Sequence, residues 1–223
     1  MPTSTTNATL ADLAVLLPAA SRVFHRHRLD FCCHGGRSLA DACVARGLDP
    51  AAVLSEIEDA QASSEEATRW DERPIRELVD HIEAWYHARL RAELPELVAL
   101  AAKVEERHAD KPSSPRGLRT HLEGVHESVL DHLAKEEQIL FPMIRGGRIP
   151  AGPIHVMEAE HADHADNLQR TRALTADLVA PAEACPTWRA LYLRLGELER
   201  ELMEHIHLEN NVLFRRVLAG RAA

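Results

Sequence analysis

The stretch His132-Leu133-Ala134-Lys135-Glu136-Glu137-Gln138-Ile139-Leu140-Phe141 returns in outline 73 positions later as His205-Ile206-His207-Leu208-Glu209-Asn210-Asn211-Val212-Leu213-Phe214. Each copy sets a His and a Glu four residues apart, ahead of an Ile/Val-Leu-Phe tail. On an α-helix turning about 100° per residue, those two side chains fall within roughly 40° of each other, one turn apart, and reach the same metal ion. Glu137, five residues from His132 and roughly 140° round the helix, faces away from it. Two such helices packed face to face offer paired imidazoles and carboxylates to one interior, the way helix bundles build two-metal carboxylate sites. A single His-x3-Glu is weak evidence. The same register twice, against the same apolar tail, makes metal binding the expectation.

Around these two segments the chain reads as helices. From Pro74 onward four apolar patterns of helical period are separated by breakers: about Ile75 to Ala109, Arg116 to Ile144, Ile154 to Val179 and Trp188 to Ala219. Pro95 suggests a kink or break in the first, whose apolar face is read as Leu78, Ile82, Trp85, Leu90, Leu94, Leu97 and Val98. The short connections imply an up-down four-helix bundle. Ahead of it, Thr9 to Asp12 and Ser38 to Asp41 fit capping boxes, Asp49-Pro50 opens a helix, and Gly47 is a C-terminal stop. The expected division is a small helical Cys-Cys domain over 1–60, a polar linker over 61–73 and the bundle over 74–223.

Composition narrows the class. Of 223 residues 45% are hydrophobic and only 4% aromatic, which favours an all-α fold of closely packed helices over sheets. The formal charge of −9, with no dense basic run, argues against nucleic acid as a partner. No apolar run approaches the roughly 20 residues needed to cross a bilayer, and the start lacks the pattern of a signal peptide, so a cytoplasmic location is expected. Four cysteines, at 32, 33, 43 and 185, form no disulfide framework or paired zinc motif. Histidine is the unusual count: fourteen in all, eleven of them from position 81 onward.

The repeat supplies His132, Glu136, His205 and Glu209, leaving metal positions for the other two helices. The first offers His81 and His87, the third His155, His161 and His164, and spacing alone does not choose among them. Imidazoles with carboxylates suit redox-active iron, whereas closed structural zinc sites usually recruit thiolates.

Several stretches together resemble the iron-sulfur cluster repair di-iron proteins, a branch of the hemerythrin-like proteins. They are Asp30-Phe31-Cys32-Cys33 with Gly35-Gly36, Trp85-Tyr86-His87, Leu94-Pro95-Glu96-Leu97, Lys135 to Met143, Met157-Glu158-Ala159-Glu160-His161 and Leu208 to Phe214. The resemblance covers nearly the whole chain. It implies a hemerythrin-like bundle and places the family's six ligands on His87, His132, Glu136, His161, His205 and Glu209. It also implies two irons, oxo- or hydroxo-bridged, and a protein that repairs clusters damaged by nitric oxide or oxidants. Four His, two bridging Glu and that bridge leave about one open position per iron. The His-x3-His of oxygen-carrying hemerythrins is broken here, since Ala165 stands four residues after His161.

The expected partners are iron-sulfur client proteins, nitric oxide or oxygen as small ligand, and an electron donor; the chain is expected to be a monomer or homodimer. Nitric oxide reductase activity is one expectation, and an oxygen, nitric oxide or redox sensor without turnover is the alternative. The pair Cys32-Cys33 is read as a redox or iron-relay site, since the nearby Arg28, His27, His34 and Arg37 would lower a thiol pKa. Cys43 and Cys185 are read as structural.

Overall fold

The computed structural model describes residues 6–63 and 68–220. The described residues contain helices and no strand, only a single antiparallel bridge between Thr9 and Ser38, so the all-α expectation holds. The middle of the expected linker, 64–67, lies outside the described residues. Contacts divide the chain into two compact units, Met1–Val79 with Met203–Ala223, and Asp80–Leu202.

In the first unit the caps read from sequence form as hydrogen bonds. Thr9 Oγ1 accepts the Asp12 N–H at the start of α1 (Leu10–Leu16). Helix α2 (Ala20–His27) follows, and Ser38 Oγ accepts the Asp41 N–H to open α3 (Leu39–Arg46). Gly47, at φ 68°, closes α3 in the left-handed conformation that costs glycine nothing. Asp49 caps α4 (Pro50–Ala62) through the Ala51 N–H. These helices enclose Leu10, Leu13, Val23, Phe24, Phe31, Leu39, Cys43, Val53 and Ile57, with Met203 against them. The end of the chain is tied to this module: Arg215 pairs with Asp12, and Arg216 donates to the Trp70 and Arg73 carbonyls.

The second unit is a bundle. Helix α5 (Ile75–His81) passes through a π-helical turn, π1 (Ile82–His87), into α6 (Ala88–Arg107). Next, α7 (Leu118–Lys135) continues through π2 (Glu136–Leu140) into α8 (Phe141–Arg145). After α9 (Ala151–Leu174) comes α10 (Pro186–His207); from Met203 onward its last residues, with π3 (Leu208–Phe214) and α11 (Arg215–Leu218), belong to the first unit. Leu90, Leu94, Leu97, Leu122, Val125, Val129, Met157, Leu191, Leu195 and Leu198 fill the interior. At the rim Arg194 reaches Glu93 and Glu96, Arg89 reaches Glu201, and Arg172 reaches Glu199. These pairs bind the middle of α10 to α6 and α9.

Three expectations change. Pro95 does not interrupt α6. Trp85 lies half exposed, with the Arg89 guanidinium 5.1 Å over its ring, because π1 holds an extra residue in its turn and gives the inward positions to Ile82, Tyr86 and His87. The third helix ends at Leu174 rather than near Val179: Ala176, Asp177 and Leu178 all take left-handed backbone angles. Such residues cost roughly 1–2 kcal/mol each. Thr175 Oγ1, accepting the Leu178 N–H, and the Arg172–Asp177 pair offset part of that cost.

Candidate metal centre

Donor atoms of the second unit converge on Glu136. Its carboxylate is fully buried where π2 begins. His87 Nε2, at the end of π1, lies 3.4 Å from Glu136 Oε2, and His132 Nε2, one turn earlier on α7, lies 3.5 Å from the same oxygen. His161 of α9 places Nε2 3.2 Å from His132 Nε2. The ligating atoms of His132, Glu136 and His161 all lie within 4.8 Å of one another.

Second carboxylates decide which nitrogen of each ring faces inward. A carboxylate only accepts, so His87 Nδ1–H donates to Glu137 Oε1 at 2.8 Å and His132 Nδ1–H to Glu160 Oε2 at 2.9 Å. Arg91 anchors Glu137 and Lys135 anchors Glu160. Burial would raise the Glu137 carboxyl, but Arg91 and His87 outweigh it and hold it below the usual range. In a neutral imidazole whose Nδ1 carries the proton, Nε2 presents a lone pair. Two such lone pairs therefore point toward a buried carboxylate oxygen, an arrangement that repels itself until a cation stands among them. The donor set fits a metal. Glu137 does turn away from His132, as its helical position requires, and the face it occupies is the one that meets His87.

In the first unit His205 Nε2 and Glu209 Oε1 stand 3.0 Å apart, both groups buried. The candidates left open by spacing separate by burial. His87 and His161 are fully buried, whereas the His155 side chain is almost fully exposed and His81 lies against the Tyr86 ring. His164 is buried beside the His132 ring and lines a small apolar cavity with Leu122, Val125, Leu195 and Leu198. His108 and His121 cap polar groups inside the bundle, on the Val104 carbonyl and on Thr171.

Each of the three π-helical turns among the described residues holds one of the predicted ligands: His87, Glu136 or Glu209. A π turn carries one more residue than an α turn and re-aims the side chains within it, which is why such turns gather at functional sites.

The Cys pair belongs to the first unit. Asp30 Oδ1 accepts the Cys33 and His34 N–H groups at 3.0 and 3.3 Å and lies 3.4 Å from Cys32 Sγ; the two sulfurs are 3.7 Å apart. His34 donates to the other Asp30 oxygen at 2.6 Å. Burial would raise the Asp30 carboxyl, but the His34 ring and these N–H groups outweigh it and hold it low. The Cys32 thiol moves the other way from the expectation drawn from its basic neighbours: Cys33, burial and the Asp30 carboxylate push it well above its ordinary value. Asn210 and Asn211, directly after Glu209, donate to the Cys32 and Phe31 carbonyls at 3.1 and 3.0 Å. Sequence reasoning assigned no role to Asp30, Glu137, Glu160 or these two asparagines. The available signal was their position next to the predicted ligands and thiols.

Comparison with known proteins gives the class first. Residues 79–217 match the hemerythrin HHE cation-binding domain, and residues 6–61 match ScdA_N, a domain of unknown function. The fold and the buried imidazole–carboxylate set thus belong to a hemerythrin-like metal-binding protein. Its relatives narrow this further. The iron-sulfur cluster repair proteins YtfE of Yersinia pseudotuberculosis (strain IP 31758) and Yersinia pestis (strain Pestoides F) are each 45% identical over 216 residues, 96% of this chain and 98% of theirs. That of Citrobacter koseri is 45% identical over 95% of this chain and 96% of its own. The chain belongs to the YtfE family of iron-sulfur cluster repair proteins.

The two supporting carboxylates give a direct prediction. Glu137→Gln and Glu160→Gln should each lower metal affinity about 10–100-fold, because an amide both accepts and donates and no longer holds the Nδ1 proton in place. Competition with a chromophoric chelator reads the change, and Glu158→Gln, outside this set, should leave it unaltered.

Proposed function

We propose that this protein repairs iron-sulfur clusters damaged by nitrosative or oxidative stress in the cytoplasm, using two irons held by His87, His132, Glu136, His161, His205 and Glu209. The buried Glu136 carboxylate faced by two imidazole lone pairs carries the metal reading. The repeated His-x3-Glu and a hemerythrin match running from 79 to 217, across all six residues, support treating them as one ligand set. The names of the relatives support repair. We assign residues 1–60, 61–73 and 74–223 to the Cys-Cys domain, the linker and the di-iron bundle, an assignment supported by the separate domain matches at 6–61 and 79–217.

Bound there as an oxo- or hydroxo-bridged pair, iron supplies one-electron chemistry toward nitric oxide or oxygen, or serves as a source of iron for a damaged cluster. The chain's own part is positional. Glu137 and Glu160 fix the tautomers of His87 and His132, and Phe141 stacks on the His87 ring at 5.7 Å, giving it an apolar neighbour. Cys32 and Cys33 act as the redox or iron relay toward an iron-sulfur client.

Iron-loaded protein prepared without oxygen should restore a nitric oxide-damaged cluster enzyme, and Glu209→Ala protein should not. Equal recovery with both would remove the reading. A second reading, a sensor without turnover, is favoured by one observation: the residues following Glu209 hold the carbonyls of the Cys loop, so a change at Glu209 reaches that loop directly. With an electron donor and excess nitric oxide, repeated release of nitrous oxide marks an enzyme. One stoichiometric uptake marks the sensor.

A further inference from the structure

The loop Asp30-Phe31-Cys32-Cys33 brings three donor atoms together away from the six residues above: the Asp30, Cys32 and Cys33 ligating atoms lie within 4.8 Å of one another. Their spacing is that of a tetrahedral ion. With metal–sulfur bonds of about 2.3 Å and metal–oxygen bonds of about 2.0 Å, tetrahedral angles put sulfur about 3.8 Å from sulfur and about 3.5 Å from oxygen. The loop has 3.7 Å and 3.4 Å.

We propose that Asp30, Cys32 and Cys33 form a second metal site, mononuclear and open at its fourth position, which takes a thiophilic divalent cation and carries iron(II) in transit.

The support around the loop is that of a ligand shell. Asp30 is oriented before any ion arrives, by the Cys33 and His34 N–H groups on one oxygen and the His34 ring on the other. Asn210 and Asn211 hold the carbonyls of Cys32 and Phe31, fixing the backbone from which both sulfurs project. Two thiolates and a carboxylate around a divalent ion carry one net negative charge. Arg28, Arg37 and Arg46 line one pocket with Asp30 and His34 and balance it, and neither Arg37 nor Arg46 makes an ion pair among the described residues. Three protein ligands with one position free describe a site that exchanges its ion, in contrast to closed structural sites. Binding displaces the thiol protons, so apparent affinity rises with pH.

The proposal deepens the relay assignment and rests on it only for the cargo; metal binding at the loop and repair by the whole chain are read separately. Full-length protein, with its dinuclear centre already loaded and its thiols reduced, is titrated with cobalt(II). Uptake of about one further ion per chain is expected, with the thiolate-to-cobalt charge-transfer absorption that imidazole and carboxylate ligands do not give. Cys32→Ser and Cys33→Ser should abolish that band, Asp30→Asn should weaken binding at least tenfold, and excess iron(II) should displace the cobalt. In the unmodified chain, cobalt should protect Cys33 from alkylation, a readout that needs no variant to fold. Absence of the band, its persistence without both thiols, failure of iron to compete, or unprotected Cys33 would each overturn the site. If the loop binds nothing while repair and dinuclear iron persist, only this site falls. If it binds as described while repair is absent, the functional reading falls instead.

Discussion

Glu136→Ala protein, purified without oxygen from iron-replete cells, is expected to retain half or less of the roughly two irons per chain proposed for the parent and to lose repair activity altogether. The carboxylate is buried, and one of its oxygens stands 3.4 and 3.5 Å from two imidazole nitrogens, so a single side chain faces two other donors. Removing it takes away negative charge that the metal needs in a low-dielectric interior and leaves His87 and His132 converging on a void. Neither Glu137 nor Glu160 can substitute, since both are committed to the outer nitrogens of those rings and to Arg91 and Lys135. Elemental analysis with circular dichroism on the same sample tests this directly. Helical content close to the parent's with the iron gone is the expected result. Full iron content in the variant would show that Glu136 is not a ligand.

Half of this site is legible in the amino-acid order. His132 with Glu136, and His205 with Glu209, follow from the helix period alone, because a four-residue spacing puts two side chains on one face whatever the helix packs against. His87 and His161 do not, since choosing them over His81, His155 and His164 requires the rotation of each helix about its own axis. Packing and the π turns set that rotation, and single-sequence periodicity assumes a uniform 3.6-residue turn. The same assumption misplaced Trp85 on the buried face and ran the third helix on to Val179. In the Cys loop the basic neighbours were visible, but their geometry was not. Asp30 lies within 3.4 Å of Cys32 Sγ, so the nearest charge to that thiol is negative. Charge counted along a chain and charge felt at an atom differ whenever the loop folds back on itself.

The C-terminal unit boundary was equally hidden. Sequence punctuation places one break between an N-terminal module and a bundle. The fold instead groups the final segment, Met203–Ala223, with residues 1–79. The contacts include apolar ones, Met203 on the module's core and the His207 ring on Phe31, and polar ones far apart in sequence: Asn210 and Asn211 on the Cys loop, Arg215 on Asp12, and Ser21 on Glu204. None has a periodic signature. Functionally they place His205 and Glu209 on a segment whose other residues hold Phe31 and Cys32, so the thiol loop and one His–Glu pair share a scaffold.

That scaffold turns on one glycine, and its replacement should have the second large effect. In Gly35→Ala, the new Cβ would collide with the Phe31 carbonyl oxygen and lie 2.8 Å from Ala11 Cβ. The first is backbone and cannot rotate away, and the Gly35 carbonyl already accepts the Ala11 N–H at 2.9 Å, so α1 and the loop cannot simply part. Relief requires Phe31 to move, yet Phe31 is buried against Phe24 and gives its carbonyl to Asn211. The expected cost is about 3 kcal/mol. For a chain of this size, that corresponds to a fall of about 6–12 °C in the melting temperature. The adjacent Gly36→Ala is the matched control: a Cβ there meets nothing within 4 Å, and stability should stay within about 0.5 kcal/mol of the parent. Calorimetry of the two variants side by side separates a steric requirement at one position from a general preference for glycine in the turn. Equal melting temperatures for the two would mean that the loop does not close as described. A large loss confined to Gly35→Ala, with reduced repair at a temperature where the protein is still folded, would show that the position of the thiols, and not merely their presence, matters to function.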